Sequence, residues 1–196
     1  LKFFSKPTEQ THLAMGFLGL KRNDPRRHIL GLLNVILGAN MSSRLFNEVR
    51  EKRGLAYEIG TQVKRLADTG AFIIHAGIDN RKVVKTVEVV LKELKRIKKE
   101  PPKSNEVSRA KEFYTGQLRL ALEDTLDHML WIGEATTALD KTYTLQDILK
   151  EVEKIKPQDI PHLASVIFKD KKFNLALIGP DLEKNKKEIE GLIRLL

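Results

Sequence analysis

Residues 41–57 read MSSRLFNEVREKRGLAY, which dictates a helix, an abrupt stop and a strand within one short span. Leu45 and Val49 stand four apart with Phe46 beside them, the spacing of a single apolar helix face. Ser42 or Ser43 can open that helix by accepting a hydrogen bond from an unpaired N–H. Arg50, Lys52 and Arg53 crowd the last turn, where the helix dipole favours cations, and Gly54 supplies a left-handed stop. A strand then begins near Leu55. This arrangement can bring the guanidinium of Arg50, at the helix end, close to the phenol of Tyr57 on the strand. One feature cuts the other way: strict alternation gives Tyr57 the parity of Leu55, Ile59 and Val63, which is the apolar face.

The flanking sequence supplies elements for this turn to sit among. Residues 10–18 alternate, with Leu13, Met15 and Phe17 on one side, and predict a strand. Asp24 as cap and Pro25 at the first position start a helix running to about Gly38. Residues 55–64 and 70–78 are two strands joined by a hairpin at 65–69. The second is apolar on both parities (Phe72, Ile74, Ala76, but also Ile73), as expected near the centre of a sheet. Asp79 or Asn80 caps a long helix to about Glu100, which Pro101 and Pro102 end. Residues 104–139 predict one long helix or two, interrupted near Gly133. Further helices follow at 145–155 and from Pro157 to about Phe168, then a strand at 173–178 and a charged closing helix. The order predicts an α/β (α+β) domain spanning 1–196, with a front αβ lobe over about 1–100 and a helical back half with a closing strand over about 103–196.

Composition narrows the function classes. The chain has 196 residues, 41% hydrophobic and 31% charged, enough for a substantial core. It has no cysteine, so a disulfide framework and thiolate metal sites are excluded. The richest apolar run, 29–39, is too short to span a bilayer, so no transmembrane segment is expected. No basic–apolar–small leader opens the chain. Leu1 in place of an initiating Met points to a piece of a longer polypeptide. Of the net charge of +9, residues 81–111 hold +7, eleven Lys or Arg against four Glu. That stretch has no aromatic residue for base stacking, and its Val and Leu residues form a broad face for burial. The cations therefore belong to a solvated helix face, and no nucleic-acid partner is expected.

The 41–57 segment resembles the signature of the C-terminal domain of the M16 family of zinc metallopeptidases. Residues 8–17 look like that domain's opening strand, 106–111 like its central helix and 174–180 like its closing strand. The loop Leu37-Gly38-Ala39-Asn40 is similar to a family loop usually richer in glycine; Asn40 tolerates a left-handed conformation that would preserve the turn. The resemblance implies a LuxS/MPP-like metallohydrolase domain with a mixed, mainly antiparallel sheet and helices packed on one face. It also implies that Arg50 and Tyr57 reach the active site in the other half of the molecule, supporting substrate and transition state. Its implied partners are an N-terminal M16 domain, in the same polypeptide or a partner chain, and a peptide substrate, with a homodimer as a further assembly.

The catalytic metal of that family has no counterpart motif in this sequence. His12, His28, His75, His128 and His162 give neither His-Glu-x-x-His nor its inverted form, so no metal ligand is expected here and zinc is expected in the N-terminal half. His12 and His75 fall on predicted strands with no third ligand in view, and His128 lies beside Met129 and Trp131 as a packing residue. The expected function is the C-terminal, substrate-binding half of a zinc metalloendopeptidase, inactive by itself. The alternative is a non-catalytic homologue acting as scaffold or partner subunit.

Overall fold

The computed structural model describes residues 1–139, 142–169 and 173–194. Five strands form one sheet: β1 (Lys2–Ser5), β2 (Thr11–Leu18), β3 (Ala56–Arg65), β4 (Gly70–Ile78) and β5 (Phe173–Gly179). Their order is β1-β5-β2-β4-β3, parallel only between β1 and β5 and antiparallel elsewhere. The helices are α1 (Arg27–Leu37), α2 (Val83–Lys99), α3 (Ser104–Ala121), α4 (Thr125–Leu139), α5 (Leu145–Glu153), α6 (Asp159–Ile167) and α7 (Lys186–Ile193). A π-helical segment, Phe46–Glu51, lies between α1 and β3. No helix among the described residues is long and apolar enough to cross a membrane.

Alternation along the strands decides which face is covered. Leu13, Met15 and Phe17 of β2, Phe72 and Ile74 of β4, and Leu175 and Leu177 of β5 are buried. They join Leu30, Leu33 and Leu37 of α1, Val87, Val90 and Leu94 of α2, and Leu163 and Ile167 of α6 in one core. Phe168 closes it, its ring edge-on to Phe17 at 5.0 Å and to Phe72 at 5.2 Å between centroids. Burial of each such side chain contributes about 1.5–3 kcal/mol. The outward positions, among them His12, Ala14, His75, Asn174 and Ile178, stay exposed, so the opposite sheet face is bare.

Several local expectations are corrected. β1 was not foreseen: it is four residues long at the sheet edge, too short to show a period. β4 is an interior strand beside the central β2, as its apolar pattern predicts. Helix α1 starts at Arg27, because Asp24 and its carboxylate cap the preceding turn, accepting from Arg26 N. Asp79 does the same for Arg81 N ahead of α2. Asn80 caps nothing; its amide donates to the carbonyls of Thr8 and Glu9 and its oxygen accepts from the Thr11 hydroxyl. The break between α3 and α4 falls at Leu122–Asp124, where the Asp124 carboxylate accepts from Leu126 N and Asp127 N, and Gly133 lies inside α4.

Candidate functional site

The signature segment forms the helix, stop and strand its sequence calls for, with two departures. The first is its helical geometry. Over Phe46–Glu51 the bonds reach one residue further than in an α-helix, as in Lys52 N–H to Asn47 C=O at 2.9 Å. A wider turn of this kind re-aims the side chains that follow it. Neither Ser42 nor Ser43 provides a side-chain cap. Asn40 Oδ1 accepts from Ser42 N instead, and the buried Ser43 hydroxyl has no partner among the described residues. Asn40 does not adopt a left-handed conformation; its side chain, not its φ, makes the turn. Gly54 provides the left-handed stop with φ 55°, its N–H bonded to Arg50 C=O while Leu55 N–H reaches Val49 C=O.

The second departure is a bulge. Ala56 pairs with Ile78 and Glu58 with Gly77, so Tyr57 is an extra residue with no opposite number. The insertion breaks the alternation: Ala56 and Ile59 point into the core while Tyr57 and Glu58 both point out. Tyr57 is 60% exposed, not on the apolar face where unbroken parity puts it. Bulges re-aim single side chains at sheet ends in this way.

Arg50, Tyr57, Gly54, Leu55, Asp79 and Lys82 line one open cleft of about 410 Å³. The charges around it are mostly spoken for. Lys52 and Arg53 both donate to Glu48, whose carboxyl they hold below its ordinary range, Lys52 having the larger effect. Arg44 makes a two-pronged pair with Glu106 at 2.7 and 2.8 Å. Arg81 grips Asp79 and pulls its carboxyl down to about 2. Lys82 donates to the Gly54 carbonyl at 2.9 Å. Arg50 has no carboxylate partner among the described residues; its guanidinium lies 4.9 Å from the centroid of the Phe46 ring. The Tyr57 hydroxyl likewise has no hydrogen-bond partner among them. The cleft therefore presents the Arg50 guanidinium, without a carboxylate partner, and the Tyr57 hydroxyl, without a hydrogen-bond partner among the described residues, beside the Glu51 carboxylate and the Lys82 ammonium.

The other candidates are separated. His12 and His75 share the bare sheet face, but His12 is paired with Gly77 and Ala14 with His75, so the two imidazoles are diagonal neighbours. The Glu58 carboxylate lies 4.0 Å from His75 Nε2. No group of three or more His, Asp or Glu among the described residues is placed to hold a metal ion, so these side chains do not fit a zinc centre. His128 is exposed on α4 and its ring sits 5.9 Å from that of Trp131. Sequence reasoning missed the bulge and the π-helical turn, and a single sequence carries no periodic signal for either.

Comparison with known proteins agrees with this fold. Residues 2–114 match the family model described as the peptidase M16 inactive domain. An uncharacterized zinc protease of Streptomyces coelicolor is 33% identical over 193 residues, covering 98% of this chain and 42% of that protein. An uncharacterized zinc protease of Bacillus subtilis is 35% identical over 175 residues, 89% of this chain and 42% of that protein. The crystal structure of a peptidase M16 inactive domain from Pseudomonas fluorescens superposes with a TM-score of 0.81 at 24% identity, over 91% of this chain and 43% of that one. The chain thus spans less than half the length of the relatives it matches. With the fold, the matched model and the similarity along 98% of this chain in agreement, the chain belongs to the peptidase M16 family, as the C-terminal domain whose family model is called inactive.

Proposed function

We propose that this domain is the substrate-binding half of a zinc-dependent metalloendopeptidase, and that Arg50 and Tyr57 serve an active site whose metal belongs to the complementary half. The observation that carries the reading is the cleft in which both side chains are exposed, Arg50 with no carboxylate partner and Tyr57 with no hydrogen-bond partner among the described residues, while Lys52 and Arg53 are paired with Glu48. Peptide hydrolysis builds negative charge on the former carbonyl oxygen. A fixed neutral donor at that position stabilises the transition state more than the bound peptide, and a tyrosine hydroxyl on a strand bulge is such a donor. A guanidinium offers a planar fork of N–H groups suited to holding peptide carbonyls. The bare sheet face beside them forms a wall of the substrate space. Its outward row on β2 includes Ala14, exposed and short enough for a peptide to lie against the strand.

Reconstitution tests this. The chain alone is expected to give no turnover of a fluorogenic peptide, and the complementary half alone little. Mixing the two should restore activity, because the reacting groups are oriented only when both halves contact the substrate. A rate supplied by the complementary half alone and unchanged on adding this chain would contradict the proposal.

A further inference from the structure

Another cavity, lined by both charged and apolar side chains, lies on the helical side and shares no lining residue with the Arg50–Tyr57 cleft. It opens between α1, the end of β3, α3, α4 and α5 and measures about 470 Å³. A neighbouring cleft of about 600 Å³ shares Arg27, His28, Tyr143 and Ile148 with it.

Three observations converge there. Arg27 and Arg65 have no carboxylate partner and no hydrogen-bond acceptor among the described residues, whereas Arg22, also on the cavity, is paired with Glu134 at 2.8 Å. The Arg27 guanidinium is 5.0 Å from the centroid of the Tyr143 ring, and Arg65 Nε is shut off from solvent without an acceptor. Next, His28 is only 6% exposed, with Nδ1 3.2 Å from the Tyr114 hydroxyl and a buried Nε2 that has no partner. Burial, with the charges of Arg27 and Arg65, presses its pKa down to about 4, so the ring is neutral at pH 7. When the tyrosine hydroxyl donates to Nδ1, the ring proton sits on Nε2 and becomes another donor without an acceptor. Glu151, whose charge reaches His28, is already held by Lys154 at 2.7 Å and does not supply the missing acceptor. Finally, Trp131, Leu118 and Val63 give the same cavity an apolar wall.

The buried Arg65 Nε is a donor without an acceptor, and one anionic group would satisfy it together with the Arg27 guanidinium through charge-assisted hydrogen bonds. We propose that this cavity binds a small organic anion, its carboxylate or phosphate held between Arg27 and Arg65 and its flat or apolar body against Trp131 and Tyr114. Arginine rather than lysine at both positions suits two-pronged recognition of such a group.

Trp131 is the only tryptophan in the chain, so its emission reports occupancy directly. The chain should be titrated with phenyl phosphate, benzoate, phenol and inorganic phosphate. Phenyl phosphate or benzoate should give a saturable change at least about tenfold tighter than phenol and weakened by salt; the tighter of the two identifies the anionic group. Arg27→Gln and Arg65→Gln should each weaken that binding by about tenfold or more with little change in the thermal midpoint, since neither guanidinium has a carboxylate partner among the described residues. Binding of either organic anion that is unaffected by both substitutions would overturn the proposal. So would the absence of any saturable change, and inorganic phosphate binding as tightly as phenyl phosphate would overturn the assignment of an organic body.

Discussion

Tyr57 shows how one inserted residue alters what a strand presents. Its parity in sequence is that of the core residues Leu55 and Ile59, and only the extra position opposite the Ile78–Gly77 step turns it outward. Gly54, three residues earlier, was legible because a left-handed position at a helix end favours glycine for a stated steric reason. An added Cβ there would meet nothing within 4 Å, so the penalty of a side chain is that of backbone conformation alone. Gly54→Ala is accordingly expected to cost about 1–2 kcal/mol in urea unfolding, with an unchanged denaturant slope. A variant as stable as the parent would show that the stop does not depend on φ 55°.

Among the elements, those with several repeats of their own period were legible. The strands at Thr11–Leu18 and Gly70–Ile78 and the long helix α2 emerge from alternation and from the 3.6-residue spacing. The rest depended on partners distant in sequence. β1 exists because β5 offers it an edge, and Asn80 is drawn from capping to tying down the segment before β2. The same holds for charges buried beside the π-helical segment. For Glu106, burial raises the carboxyl but the hydrogen bonds and charge of Arg44 outweigh it, leaving its pKa below the ordinary value of 4.5. Its contribution to stability is therefore present above the unfolded value and lost as pH falls through the folded one. Glu93 is 4% exposed with one unpaired oxygen, and burial raises its pKa. Its contribution has the opposite sign, favourable below the unfolded value and lost as pH rises through the folded one. Unfolding measured from pH 4 to 7 should show Glu106→Gln losing about 1–3 kcal/mol at neutral pH and less in acid. Glu93→Gln should instead gain stability relative to the parent as pH rises. Parallel pH profiles for the two variants would contradict this account of the pair.

At the scale of the whole molecule, helices cover one sheet face and leave the other open, and the chain spans 42% of the Streptomyces and Bacillus relatives it matches. Both facts motivate the proposal that the domain completes its site against another half. The role of Arg50 is tested in a full-length protein by Arg50→Ala, expected to lower kcat and raise KM, and by Arg50→Lys, which should not rescue because an ammonium lacks the planar fork. Tyr57→Phe probes the central claim with the least disturbance, since it deletes only a hydroxyl from a side chain that is 60% exposed. The decisive measurement is kcat for a fluorogenic peptide with this variant in the full-length protein, alongside its thermal midpoint. The account predicts a fall of about 10²–10³-fold in kcat, the scale of removing one oxyanion donor, with the midpoint unchanged. Turnover at the parental rate would contradict it.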